Sequence, residues 1–158
     1  MPILPIDSGR YGSNEIRKIF EEEIRLRYQL NFEAQVALSQ GKLKIIPLNA
    51  SREIARIARS NKIKIKKIKE LESISEHDTA SIVQAISEYS SHSTRPWIHY
   101  GLTSNDVVDT STSMQLKEAF EIIEPKIFKL ISLLINKIRK YDSLPFVGRT
   151  HGQHASII

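Results

Sequence analysis

Trp97-Ile98-His99-Tyr100-Gly101-Leu102-Thr103-Ser104-Asn105-Asp106-Val107-Val108-Asp109 is the stretch that decides the fold of this chain. Gly101 is free to take a positive φ, which lets the backbone approach a ligand closely. Thr103, followed three residues later by Asp106, matches a capping box, so a helix is predicted to begin here. The N–H groups at a helix N-terminus attract anions. The stretch therefore predicts either an ordinary capped helix or an anion site.

Apolar residues recur at helical spacing upstream of this stretch, and they predict helices. Ser13 or Asn14 is expected to cap the first helix, and Gly41 is expected to end it. Lysine and isoleucine alternate over 61–65 as in a strand, but no second strand is visible to pair with it. A helix is therefore preferred there, and the upstream helices are predicted at 14–41, 51–60 and 65–74.

Two further helical patterns lie on either side of the deciding stretch. Ser75 and Asp78 match a second capping box, which predicts a helix toward Ser90. Downstream, the pattern that begins at Thr103 continues to about Tyr141, and Pro125 must either kink the helix or begin the next one. With no convincing strand in the sequence, the predicted class is all-α.

A polar, turn-rich segment over 90–96 is the best candidate for a domain boundary. We expect an N-terminal helical domain over 1–95 and the first long helices of a central helical bundle over 96–158. The chain stops in apolar residues just after its most polar cluster, so we expect it to be the first part of a longer protein. The apolar stripe over 127–138 should then be exposed and should promote self-association.

The charge of the chain is concentrated in one segment. The net charge is +5, and between residues 41 and 72 there are ten Lys and Arg against three Asp and Glu. No aromatic residue lies within that segment, so it offers no stacking platform for nucleic-acid bases. We therefore interpret it as a solvated helical face and expect no nucleic-acid partner.

Composition excludes several other classes of protein. Cysteine is absent, which rules out disulfides, a thiolate nucleophile and a thiolate metal site. No apolar run approaches the roughly 18 residues of a membrane span, and the start lacks the pattern of a secretory signal. A cytoplasmic protein with no membrane partner is expected.

Histidine is the usual proton-transfer residue near neutral pH, and four of the five histidines lie in polar clusters. His151 lies between Thr150 and Gly152, where a small neighbour leaves the ring accessible, although a histidine bonded to a turn is the other interpretation. His92 lies in a Ser/Thr-rich loop and is expected to be solvated. His151 and His154 lack the spacing and the further ligands of a zinc site, so no metal is expected.

Several motifs together resemble the adenylosuccinate lyase branch of the fumarase/aspartase superfamily. The resemblance runs from about Arg10 to the end of the chain. Its most specific part is the block His-Tyr-Gly-Leu-Thr-Ser-Asn-Asp-Val-Val-Asp-Thr over 99–110, followed by Gly-Arg-Thr-His-Gly-Gln-His over 148–154. Ser-Glu-His-Asp over 75–78 departs from the Thr-Arg-His-Asp common in the family, because Glu76 replaces a cation.

The resemblance implies roles for specific residues. It makes His151 the general acid that protonates the departing nitrogen and His77 a second catalytic residue. Thr103 and Ser104 would bind a carboxylate of the succinyl group, consistent with hydroxyls at a helix N-terminus. The full set of implied substrate-binding residues is Arg10, Tyr11 (both for the phosphate), Asp78, His99, Thr103, Ser104 and Thr150.

The implied reaction is a β-elimination that releases fumarate from adenylosuccinate, giving AMP, or from the related succinyl-carboxamide ribotide (SAICAR). No cofactor is needed. The family takes its base from a serine on a downstream loop, and nothing like that signature occurs in 1–158. The resemblance therefore implies a homotetrameric enzyme of purine biosynthesis, of which this chain alone should be inactive.

Two alternatives remain open. One is another lyase or cycloisomerase of the same superfamily, against which the His-Tyr-Gly-Leu-Thr-Ser block argues. The other is a basic helical module that binds nucleic acid through 42–69. A steep dependence of affinity on salt would be its signature, because phosphate contacts release counterions.

Overall fold

The computed structural model describes residues 11–157, and most of them are helical. A 3-10 turn at Arg95–Trp97 precedes the last helix, and a β-hairpin follows it. The prediction of an all-α class is confirmed apart from this hairpin. In chain order the elements are α1 (Asn14–Ile19), α2 (Glu22–Lys42), α3 (Leu48–Ala58), α4 (Ile65–Ser75), α5 (Asp78–Glu88), α6 (Ser104–Tyr141), β1 (Val147–Thr150) and β2 (Gln153–Ile157).

The described residues fall into two compact units, one up to Phe120 and one from Glu121. In the first unit α2 packs against α3 and α4 packs against α5. The apolar side chains buried among these helices form one core cluster. Burying one Leu or Ile side chain is worth about 1.5–3 kcal/mol, so this core cluster is the main source of stability of the first unit. Its fully buried apolar members include Leu26, Leu30, Ile54, Ile63, Ile82 and Ile86.

The packing of α2 on α3 depends on Gly41. A Cβ at this position would lie 2.3 Å from Ser51 Oγ and 2.6 Å from Ser51 Cβ. The helix continues to Lys42, and Lys44 takes the left-handed φ of 61° that usually follows a helix end. The interpretation of Gly41 as a stop signal is therefore wrong, because its role is to admit the neighbouring helix.

Two charged side chains of α2 fix the connection between α3 and α4. Arg27 donates to the carbonyl oxygens of Ser60 at 3.0 Å and Ile63 at 2.7 Å. Glu23 accepts from Arg27 at 3.2 Å and from the backbone N–H of Ile65 at 3.3 Å. These bonds satisfy backbone groups at helix ends that would otherwise need water.

The segment that follows α5 is held against α3 by Glu53. Its carboxylate accepts from Ser91 N at 2.9 Å, from Ser91 Oγ at 2.7 Å and from Thr94 Oγ1 at 2.7 Å. Thr94 is buried, and Ile98 a few residues later belongs to the core. The domain boundary after residue 95 stays a prediction.

In the second unit, the last part of α6 passes through Pro125 without ending. Its apolar side chains are exposed, as predicted for the stripe over 127–138. Among them Ile127 is 50% exposed, Leu134 52% and Ile138 65%. Within residues 11–157 no helix combines the length and apolarity that crossing a membrane requires.

Three further local predictions are wrong, each for a physical reason. The first predicted helix is two helices, because Glu21 is extended with ψ of 142° and is the N-cap of a second helix, α2. The capping box at Ser75 does not form, because His77 caps α5. Strands were not expected, but β1 and β2 pair antiparallel with Thr150 opposite Gln153. His151 and Gly152 form their two-residue turn.

Candidate active site

A cavity of about 480 Å³ in the first unit collects three of the predicted site residues, His77, His99 and Ser104. They come from the start of α5, the loop before α6 and the first position of α6. The volume lies in the range of small-molecule sites. The remaining wall comes from one face of α5, at Thr79, Ala80, Val83, Gln84 and Ser87.

His77 is oriented by the helix that it caps. Its Nδ1 accepts a hydrogen bond from the backbone N–H of Ala80 at 3.3 Å. An accepting Nδ1 leaves the hydrogen of a neutral ring on Nε2, which lies 3.4 Å from Ser104 Oγ. The neighbouring Asp78 carboxylate lies 3.5 Å from Nδ1. His77 therefore joins the first turns of α5 and α6 across the cavity.

His99 is oriented by a buried carboxylate. Its Nδ1 lies 2.6 Å from Glu33 Oε1, and the Glu33 side chain is only 2% exposed. This hydrogen bond raises the pKa of His99 above its ordinary value, and the charges of Glu33 and Asp106 raise it further, while burial opposes them. His99 also has a φ of 59°, which is uncommon for a residue with a Cβ.

The predicted start of α6 is confirmed. Asp106 Oδ2 accepts from the backbone N–H of Thr103 at 2.8 Å, and α6 begins at the next residue, Ser104. Gly101 has the positive φ expected of it, at 71°. In this turn Leu102 N donates to His99 O at 3.3 Å, and His99 and Ser104 both line the cavity.

The electrostatics of the cavity favour an anionic ligand. The first turns of α5 and α6 both contribute lining residues, and helix N-termini carry partial positive charge. His99, whose pKa is raised, adds an imidazolium over a wider pH range than a free histidine. The serine hydroxyl and the two imidazoles are suited to binding a carboxylate or phosphate and to moving a proton.

Thr150 and His151 lie in the hairpin of the second unit. His151 and Gly152 have φ of 50° and 74°, and two positive φ values are what a type I′ turn requires. Histidine tolerates this region better than most residues with a Cβ. His151 is exposed at the tip of the hairpin. The turn therefore presents the imidazole to solvent and does not bury it.

The other predicted residues that the structure describes are not among those that line this cavity. Tyr11 is 59% exposed and precedes α1, while Arg10 lies outside the described residues. Asp78 occupies the first turn of α5 and bonds the backbone N–H of Thr79 at 2.6 Å. His92 is exposed, as predicted. Within residues 11–157 no group of three or more histidines and carboxylates is arranged to hold a metal ion.

Glu33 is the site residue that reasoning from the sequence missed. Its signal was a carboxylate in the buried register of α2, three residues after Leu30 and four before Ala37. A charge on an apolar helix face is almost never fully buried without a partner. The pattern indicates that the Glu33 carboxylate has a buried partner, but it does not identify that partner as His99, which lies 66 residues away in the chain.

Comparison with known proteins shows which family the chain belongs to. The model of a family described as Lyase matches residues 9–158. Adenylosuccinate lyase of Methanocaldococcus jannaschii is 41% identical over 155 residues, which are 98% of this chain and 33% of the relative. Adenylosuccinate lyase of Methanothermobacter thermautotrophicus is 37% identical, over 98% of this chain and 34% of the relative.

A solved structure shares the fold. The crystal structure of 3-carboxy-cis,cis-muconate lactonizing enzyme from Pseudomonas putida superposes with a TM-score of 0.83 at 25% identity, over 98% of this chain and 36% of that chain. The chain spans about a third of the length of the curated relatives it matches.

Proposed function

The chain belongs to the lyase family whose model covers residues 9–158, and on that premise we propose that it is the N-terminal part of an adenylosuccinate lyase. The relatives that carry that name support this choice over another lyase or cycloisomerase of the superfamily. The reaction is the elimination of fumarate from adenylosuccinate, and from SAICAR, in purine biosynthesis.

The observation that carries the proposal is the cavity shared by His77, His99 and Ser104. Its two helix N-termini and its imidazoles suit a substrate that bears carboxylates and a phosphate. Thr103 and Ser104 hold a carboxylate of the succinyl group. His99, supported by Glu33, contacts an anionic group of the substrate, and Arg10 and Tyr11 bind the phosphate.

The chemistry needs one base and one acid. The base removes a proton from the carbon next to a carboxylate, the electron pair forms the double bond of fumarate, and the carbon–nitrogen bond breaks. His151 gives the departing nitrogen a proton, with Thr150 beside it. The base is a serine on a downstream loop, so residues 1–158 supply the acid and binding groups but should not turn over substrate alone.

Assembly is part of the same proposal. The enzyme is a cytoplasmic homotetramer in which copies of the central helices pack together and complete each site. The exposed apolar side chains of α6, such as Leu130, Leu134 and Ile138, support this, because apolar patches of this extent usually mark an interface.

Complementation tests the proposal. The chain is mixed with a fragment that supplies the rest of a full-length relative, and fumarate release from adenylosuccinate is measured. We expect no release by the chain alone and release by the mixture. His151→Ala should lower the restored rate by about 10²–10⁴-fold, the usual contribution of a general acid.

His154→Ala is the matched control, because His154 belongs to the same hairpin but lies outside its turn. It should change the rate much less. Fumarate release by the purified chain alone would contradict the proposal that the base lies outside residues 1–158. A full rate with His151→Ala would contradict the assignment of His151 as the acid.

A further inference from the structure

The cavity is lined by two histidines whose Nδ1 atoms have opposite hydrogen-bonding roles, as an acceptor in His77 and as a donor in neutral His99. His77 accepts at Nδ1 from the N–H of Ala80, so its neutral ring carries hydrogen on Nε2. His99 faces a carboxylate at Nδ1, and an ionised carboxylate only accepts. The hydrogen of a neutral His99 is therefore on Nδ1. The remaining nitrogen is Nε2 in both rings, but it is a donor in His77 and an acceptor in neutral His99.

We propose that Glu33 is a positioning residue that fixes the His99 ring with its Nδ1 hydrogen on the carboxylate and its Nε2 directed at an anionic group of a ligand bound in the cavity. Protonation of Nε2 then makes His99 a cationic donor. A carboxylate on the opposite nitrogen orients the ring and stabilises its positive charge. That the ligand is a substrate with phosphate and carboxylate groups rests on the proposed function.

Burial strengthens the assignment. Glu33 is 2% exposed and His99 17% exposed, so little water competes for the bond between them. A buried carboxylate without a partner is strongly destabilising, which ties the placement of Glu33 to that of the ring. His99 also holds a φ of 59° that glycine would adopt with less strain. Strain kept at a cavity wall is a common feature of functional sites.

The charges around His99 determine the direction of its titration. Glu33 on α2 and Asp106 on α6 are the acidic groups that act on the ring, and His77 of α5 lines the same cavity. The hydrogen bond to Glu33 is the largest cause of the raised pKa of His99. Removing the negative charge of Glu33 should therefore lower that pKa and leave less of the imidazolium at neutral pH.

The test records the ring nitrogens of the chain by NMR after labelling histidine with ¹⁵N. At a pH above its pKa, His99 of the unmodified chain should show the Nδ1–H tautomer, and His77 should show the Nε2–H tautomer. An Nε2–H tautomer at His99 would overturn the inference. This measurement needs no substitution, so it holds even if variants fold poorly.

Glu33→Gln is the second arm. It should lower the pKa of His99 and weaken binding of AMP, the anionic probe, about tenfold at neutral pH. Glu53→Gln makes the same chemical change at a carboxylate bonded to Ser91 and Thr94, and it should leave the titration of His99 in place. A Glu33→Gln chain whose His99 titrates as before would overturn the positioning role.

The two proposals fail separately. If His99 shows the expected tautomer and titration but neither chain binds AMP, Glu33 still positions the ring, and the proposal that the first unit binds the nucleotide by itself is wrong. If AMP binds equally well to the unmodified chain and to the Glu33→Gln variant, the proposed nucleotide substrate is supported and the role of Glu33 is overturned.

Discussion

The two units use their apolar side chains in opposite ways. Up to Phe120 the largest aliphatic side chains, such as Leu26, Leu30 and Ile54, are fully buried. From 121 to 157 every residue is exposed except Ile122 and Gly148, which are half-buried. The first unit therefore has its own core and a formed cavity, whereas the apolar side chains of the second unit are exposed. We infer that stability resides in the first unit, and the proposed assembly would use the second.

The largest expected difference is between two leucines. Leu30→Ala removes a fully buried side chain and should lower the free energy of unfolding by about 2–5 kcal/mol. Leu134 is 52% exposed, and Leu134→Ala should change it by no more than about 0.5 kcal/mol in dilute solution. Urea denaturation of both variants measures the difference, and sedimentation should show weaker self-association for Leu134→Ala. Equal losses of stability would break the comparison.

A smaller difference is expected between two glycines. Gly41→Ala forces a Cβ against Ser51 and should cost about 2 kcal/mol, the usual range for overpacking. At Gly148 the nearest atom to an added Cβ is the Ser156 carbonyl oxygen at 3.5 Å, an ordinary contact, so Gly148→Ala should have little effect. Thermal unfolding measures both.

Adding Ser51→Gly to Gly41→Ala removes both clashing atoms and should recover part of the loss. No recovery would show that the close approach of α2 and α3 is not the reason for glycine at position 41.

The smallest effect concerns Glu53, within the first unit. Hydrogen bonds from Thr94 and then Ser91 lower the pKa of Glu53 below its ordinary value. The stability they contribute is fully present above the unfolded pKa of about 4.3 and is lost as the pH falls through the lower folded pKa. Glu53→Gln should cost about 1 kcal/mol at pH 7 and progressively less in acid. Denaturation at several pH values measures this, and a constant cost down to pH 2 would contradict it.

Much of the fold could be predicted because each helix carries its own periodic pattern of apolar residues, which can be recognised without knowing the other helices. The spacing of Ile54, Ile57 and Ala58 identified α3, and Thr103 with Asp106 identified the start of α6. Cap choice was less predictable, since Ser75 and His77 both offer acceptors and the structure uses His77. The hairpin was not predicted because its turn is His151-Gly152 and not the Asn-Gly pair that usually signals such a turn. Both residues nevertheless take the positive φ that the turn requires.

The site was predictable where local motifs carry it and unpredictable where contacts are long-range. His77, His99 and Ser104 were all identified from short motifs, and they line one cavity. Glu33 and the glycine contact at Gly41 depend on partners in other helices. Periodicity indicates which face of a helix is buried, but it does not say which residue lies opposite.

Binding of adenylosuccinate to the chain, followed residue by residue by NMR, tests the central claim most directly. We predict saturable shifts that converge on His77, His99 and Ser104 in the first unit. The account would be contradicted by no shift at these three residues at saturating ligand, or by shifts confined to the basic segment over 42–69.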